Sequence, residues 1–165
     1  MEKLTLGTLP KKISPEHVAL VCSRRPEGTT NLAAVSWWTI VSLHPVTIAF
    51  AMGKKSFSGE RIREERDVLL TVPGSELAEI VMECGSHSGR NCDKVQEYEI
   101  PLVDIPGSTI KAPDHSRLVL VMLLQRYLEV GDHYLYICEV SDGYVDDKED
   151  SLYAWDGYRD VGPVR

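Results

Sequence analysis

The sequence predicts a mainly β protein, an antiparallel barrel or sandwich with a few short helices at its periphery. Three observations carry that expectation. Short runs rich in Val, Ile, Thr and Trp recur along most of the 165 residues, and such side chains suit a pleated surface. Tight turns join some of these runs, and short charged or amphipathic stretches join others. Strands do not alternate regularly with long helices, which argues against a parallel βαβ sheet.

The elements follow in order. His17-Val18-Ala19-Leu20-Val21-Cys22 is a short apolar run, and Pro26-Glu27-Gly28 is a turn signal after it. A second strand-like run covers 31–42, ended by Pro45, and a third covers 46–52, ended by Gly53. Residues 58–65 are charged and read as a short helix with Ser58 as its N-cap. Val68-Leu69-Leu70-Thr71-Val72 reads as a buried strand stopped by Pro73-Gly74. In 75–84, Leu77, Ile80, Val81 and Cys84 recur at helical spacing. A polar loop with two glycines covers 85–93, and Pro101, Pro106 and Pro113 mark an irregular connection. Two long strand-like runs, 118–127 and 133–145, meet at the turn signal Gly131-Asp132.

The length suits one domain able to bury a core without cross-links. Hydrophobic residues make up 43% and charged residues 26%, close to a soluble average. No apolar run approaches the ~20 residues that span a bilayer, and the N-terminus carries no long apolar segment of the secretory type. A cytoplasmic location is therefore expected, with no membrane partner. The net charge of −7 argues against a nucleic-acid partner, whose phosphates want a basic face. The four cysteines, Cys22, Cys84, Cys92 and Cys138, form no CxxC pair and are expected as reduced thiols.

Four segments could carry chemistry. In 31–39, Trp37 and Trp38 are adjacent, so in a strand they face opposite sides, and one can border a ligand while the other packs inward. Periodicity alone favours a plain core strand. Lys54-Lys55-Ser56-Phe57-Ser58-Gly59 sets hydroxyls, lysines and free N–H groups at a helix start, with Arg61 and Arg63 nearby; this is a ready anion site, or simply a capped helix. The loop Gly85-Ser86-His87-Ser88-Gly89-Arg90-Asn91-Cys92-Asp93-Lys94 is too polar for core and suits binding. A zinc site from Cys84, His87 and Cys92 would need a fourth ligand such as His115 or His133, and the spacing fits no common finger. His133 opens a strand after a turn, where it can orient a ligand or merely end the strand. The sequence has no GxGxxG, Walker loop, GxSxG or HExxH, so any nicotinamide would bind over another cofactor.

Taken in order, these segments resemble the flavin reductase-like family, in particular its flavoredoxin-like branch. Asn31 through Trp37 is similar to that family's Asn-x-x-(Thr/Ala)-x-Ser-Trp strand. Val41-Ser42-Leu43-His44-Pro45 resembles its Val-Ser-x-x-Pro-Pro, with Val46 at the second proline. Lys55 through Ile62 resembles its hydroxyl-bearing turn into a short helix, and Ser88-Gly89-Arg90-Asn91-Cys92-Asp93-Lys94 its Ser-Gly-Arg-Asp-x-Asp-Lys. Gly131-Asp132-His133 through Val140 resembles Gly-Asp-His-x-x-(Phe/Tyr)-x-Gly-Glu-Val, with Cys138 at a glycine position. Tyr153 through Tyr158 resembles Tyr-x-Gly-Gly-x-Tyr, with Asp156 at a glycine position.

The resemblance implies an FMN-binding split barrel of Greek-key antiparallel strands, forming one domain over 1–165. It implies that Asn31 and the backbone of Val35, Ser36 and Trp37 line a flavin, with Trp37 beside the isoalloxazine. Ser56 and Ser58 would hold the phosphate, with Lys54 or Lys55 nearby. Arg90 and Lys94 would approach the phosphate or the ring's polar edge, His133 would lie near the flavin, and Tyr158 would close the pocket. No side chain is needed as a nucleophile. The implied protein is a homodimer, either an NADH- or NADPH-dependent flavin reductase or an electron carrier serving another protein. A non-catalytic flavin- or haem-binding module is the remaining alternative.

Overall fold

A computed structural model describes residues 1–164. Its centre is one seven-stranded antiparallel sheet. The strands, in chain order, start with a two-residue β1 (Glu16–His17), followed by β2 (Ala19–Arg24), β3 (Thr30–Val35), β4 (Trp38–Leu43), β5 (Val46–Gly53), β6 (Asp67–Pro73), the short pair β7 (Leu102–Val103) and β8 (Ala112–Pro113), β9 (Ser116–Val130) and β10 (His133–Val145), and end with β11 (Tyr153–Trp155) and β12 (Asp160–Gly162). The large sheet runs β3-β2-β6-β9-β10-β5-β4, and β1, β11 and β12 form a three-stranded sheet beside it. The expected mainly β barrel with small peripheral helices is what forms.

The two ends of the large sheet, β3 and β4, are consecutive in the chain. Two residues, Ser36 and Trp37, carry the backbone from one end to the other. The Ala51 N–H of β5 donates to the Trp37 carbonyl at 2.9 Å, which extends the β4–β5 pairing by one residue into the crossing. The single run expected over 31–42 is thus two strands. Nothing local marks the break, because it is imposed by closure of the sheet.

Both faces of the central strands are covered, which explains why β2 and β6 read as unbroken apolar runs rather than alternating ones. Ala19 and Val21 of β2 join Phe50, Val68, Leu70 and Tyr136 on one face, with Ile62 packed over them. Leu20 and Cys22 join Leu69, Val81, Cys84 and Leu152 on the other. Ile62 belongs to α2 (Phe57–Glu65), and Val81 and Cys84 to α3 (Ala78–Ser86), so one helix covers each face; α1 (Leu9–Lys12) and α4 (Lys94–Glu97) are single turns. β9 and β10 form the long hairpin, with Gly131 at φ +56 in the turn, a conformation that glycine adopts without strain.

The helix start differs from expectation by two residues. Ser56, not Ser58, is the N-cap: it is extended, and its Oγ accepts from the Gly59 N–H at 3.2 Å. Ser58 lies inside the first turn and is buried. α3 also runs on to Ser86, taking two residues expected in the loop. Among the described residues no helix is long and apolar enough to cross a membrane.

Candidate functional site

A pocket of about 660 Å³ opens where the β3–β4 crossing, the start of α2 and the end of α3 converge. That volume lies in the range of small-molecule and cofactor sites. Of the residues singled out in the sequence, Val35, Ser36 and Trp37 line one side, and Lys55, Ser56 and Ser58 line the α2 end. Lys94, His133 and Tyr158 complete it.

The adjacent tryptophans divide as expected, although only Trp38 lies within a strand. Trp38 turns away from the opening, its Nε1 donating to the His17 carbonyl at 2.8 Å. Trp37 stays 42% exposed at the pocket edge, with the His133 ring 5.1 Å away, centroid to centroid. His133 is held in place by Asp132, whose Oδ1 is 2.7 Å from Nδ1, and this contact lowers the Asp132 carboxyl pKa. On the opposite rim, Tyr158 sits at φ +72 just beyond Asp156 at φ +49. Aspartate tolerates that left-handed conformation better than most residues. Burial pushes the Tyr158 phenol up to about 12.

Lys94 is the most informative group. It is 3% exposed, and its Nζ donates to the Leu32 and Cys84 carbonyls, each at 2.8 Å. Asp93 caps α4 by accepting from the Val95 and Gln96 N–H groups, which turns the following lysine inward. Among the described residues no carboxylate pairs with Lys94, and burial lowers its pKa. An ammonium has three N–H donors, and two are used here.

Three expected site residues do not line the pocket. Lys54 turns away and pairs with Glu129 on β9, so Lys55 alone supplies charge at that turn. Arg90 points outward, its Nη2 2.6 Å from Glu60 Oε2, and this pairing lowers the Glu60 pKa. Asn31 is buried one step behind the lining. Its Nδ2 donates to Ser23 Oγ at 3.2 Å and to Ser58 Oγ at 2.6 Å, so it acts on the site through Ser58. Its Oδ1 is buried without a hydrogen-bond partner.

The cysteines and histidines weighed as zinc ligands do not converge. His87 faces Glu83, His115 lies between Glu76 and Glu149, and among the described residues no group of three metal-ligating side chains forms. All four cysteines are free. Burial pushes the Cys84 thiol up to about 11 and that of Cys138 up to about 12. The lining residues not expected from the sequence include Ala51 and Met52 of β5 and Val81 and Met82 of α3. Each is apolar within an apolar-periodic stretch, where core and pocket wall look alike.

The electrostatic character of the pocket is now clear. The chain carries a net charge of −7, yet among the described residues no aspartate or glutamate lines the pocket. Lys55, Lys94 and five serines do. It is an anion-accepting cleft with an aromatic edge.

Comparison with known proteins agrees with this fold. The chain belongs to the flavin reductase like domain family, whose pattern matches residues 12–162. Its fold is similar to that of flavoredoxin from Methanosarcina acetivorans, with a TM-score of 0.86 and 20% identity, covering 100% of this chain and 91% of that one. It is also similar to an FMN-binding protein from Thermus thermophilus with bound 1-cyclohex-2-enone (TM-score 0.83, 21% identity, 99% and 93% covered). A third similar structure is an NADH:FAD oxidoreductase from Streptomyces globisporus (TM-score 0.86, 16% identity, 100% and 99% covered).

Proposed function

We propose that the pocket holds FMN and that the protein is an oxidoreductase that accepts hydride from NADH or NADPH and passes electrons to an acceptor. The observation that carries this reading is the carboxylate-free, lysine- and serine-lined cleft in an acidic chain. The residues fit the cofactor. Lys55, Ser56 and Ser58 offer charge and hydroxyls to a phosphate at the start of α2, where the helix adds free N–H groups. Asn31 fixes Ser58 from behind. Trp37 and His133 flank the opening and leave it accessible to a second reactant. Lys94 supplies buried positive charge without neutralisation by a carboxylate. Bound there, the flavin would supply hydride acceptance and onward electron transfer, and the protein orients it and biases its charge states.

The test is spectroscopic. The purified protein is expected to be yellow, or to become so with micromolar FMN, and to release FMN on denaturation. Anaerobic addition of NADH or NADPH is expected to bleach it. Bleaching by dithionite but by neither nicotinamide would assign it instead as an electron carrier reduced by a protein partner. A colourless protein that takes up no FMN would exclude the reading altogether.

A homodimer is part of this proposal. Ile40, Val41 and Leu43 of β4, Val46 of β5 and Leu128 and Val130 of β9 are all exposed, more apolar surface than these strand ends need for their own packing. Sedimentation at micromolar concentration is expected to give twice the mass of the chain. A flavin-loaded monomer at that concentration would contradict this.

A further inference from the structure

We infer that Phe57, backed by Arg25 and Arg90, is the wall that limits the cofactor to one phosphate group, admitting the mononucleotide and excluding the dinucleotide. The inference rests on the reading above, in which the phosphate lies at Lys55, Ser56 and Ser58. Phe57 stands between those two serines, and its ring lines the same end of the pocket.

That end is closed by contact between α2 and the loop beyond α3. A Cβ placed on Gly89 would sit 1.9 Å from Asn31 Oδ1 and 3.0 Å from Phe57 Cδ1, so not even a methyl group fits between them. Two guanidinium groups then hold the ring. The Cζ of Arg25 lies 5.6 Å from its centroid and that of Arg90 lies 5.3 Å from it, both within cation–π range. Each is anchored elsewhere. Arg25 Nη1 donates to the carbonyls of Gly89 at 2.7 Å and Cys92 at 3.1 Å, and its Nε pairs with Glu27 at 2.6 Å. Arg90 pairs with Glu60. The turn after β2, the start of α2 and the 87–93 loop are thereby tied into one stack. A second phosphate and an adenosine would have to displace that stack and break the Arg25–Glu27 and Arg90–Glu60 ion pairs that hold it. Specificity of this kind combines an attractive site for one ligand with a steric barrier to the other.

Flavin-free wild type, Phe57→Ala and Arg90→Ala are titrated with riboflavin, FMN and FAD by calorimetry. The wild type is expected to bind FMN about 100-fold more tightly than FAD. Phe57→Ala is expected to cut that ratio about tenfold by tightening FAD, with riboflavin affinity unchanged. Arg90→Ala, at an exposed position that leaves the core untouched, is expected to move the ratio the same way, about threefold, and decides the matter if the Phe57 variant does not fold. A wild type that binds FMN and FAD equally overturns the inference and leaves the phosphate site standing. Proportional loss of both flavins in Phe57→Ala, or an unchanged ratio in the variants, also overturns it. Riboflavin bound as tightly as FMN would overturn the phosphate site, and the inference with it.

Discussion

Lys94→Met is expected to weaken FMN binding about 10- to 150-fold and to lower the flavin's reduction potential by about 30–60 mV. The free energy behind the first figure is about 1.5–3 kcal/mol, the usual worth of a hydrogen bond involving a charged group. The potential follows because a buried cation favours the reduced, more negative flavin over the oxidised one, and 1.4 kcal/mol is about 30 mV for two electrons. Methionine keeps the length and apolar stem of the lysine, so the pocket shape is retained. A redox titration with a reference dye and a fluorescence-quenching titration give the two quantities. Affinity and potential both unchanged would mean that Lys94 serves only its two carbonyl partners. The same residue sets a pH signature in the flavin-free protein. Burial lowers its pKa, so the unfolded chain holds this proton more tightly than the folded one. Stability should therefore rise with pH on approach to the ordinary lysine range, and Lys94→Met should remove that rise.

Phe50→Ala is expected to cost about 3–5 kcal/mol of unfolding free energy. Phe50 is fully buried on the face covered by α2 and stacks on Tyr136, with centroids 5.2 Å apart and planes 10° from parallel. Removing the ring leaves a void among β-sheet neighbours that cannot collapse into it. At about 2–4 °C per kcal/mol for a chain of this size, the melting temperature should fall by about 6–20 °C. Scanning calorimetry of the flavin-free protein measures it. A drop of less than about 2 °C would mean that the sheet repacks around the gap. Ala51 and Met52, which follow Phe50, line the pocket, so the loss should reach flavin affinity too.

Much of this architecture was legible in the residues, for identifiable reasons. β2 and β6 declare themselves as doubly buried strands by their unbroken Val, Leu and Ala content. The Gly131-Asp132 turn marks the longest hairpin, and the adjacency of Trp37 and Trp38 already implies that they face different surroundings. What was hidden depends on partners distant in sequence. Lys54 and Lys55 are indistinguishable until Glu129, on another strand, takes the first. Ser58 reads as the cap on paper, whereas Ser56 takes that place and the Ser58 hydroxyl accepts from Asn31, distant in sequence. The outward turn of Arg90 needs Glu60, and the role of Arg25 needs the carbonyls of Gly89 and Cys92. Pattern reading finds elements and the neighbourhood of a site; the direction of each side chain is a tertiary choice.

The crossing at Ser36 and Trp37 gives the molecule a seam. The residues that would cradle the ligand are also the only covalent link between the sheet's two outer strands, fastened to β5 through the Trp37 carbonyl. Fraying at this seam would unmake the cradle, and a ligand resting against it would act as a stitch. A ligand present at about 100 times its dissociation constant would add about 2.7 kcal/mol to the folded state, and here it would rest against the crossing itself. Holding a ligand there and holding the barrel shut would be, at these two residues, a single event.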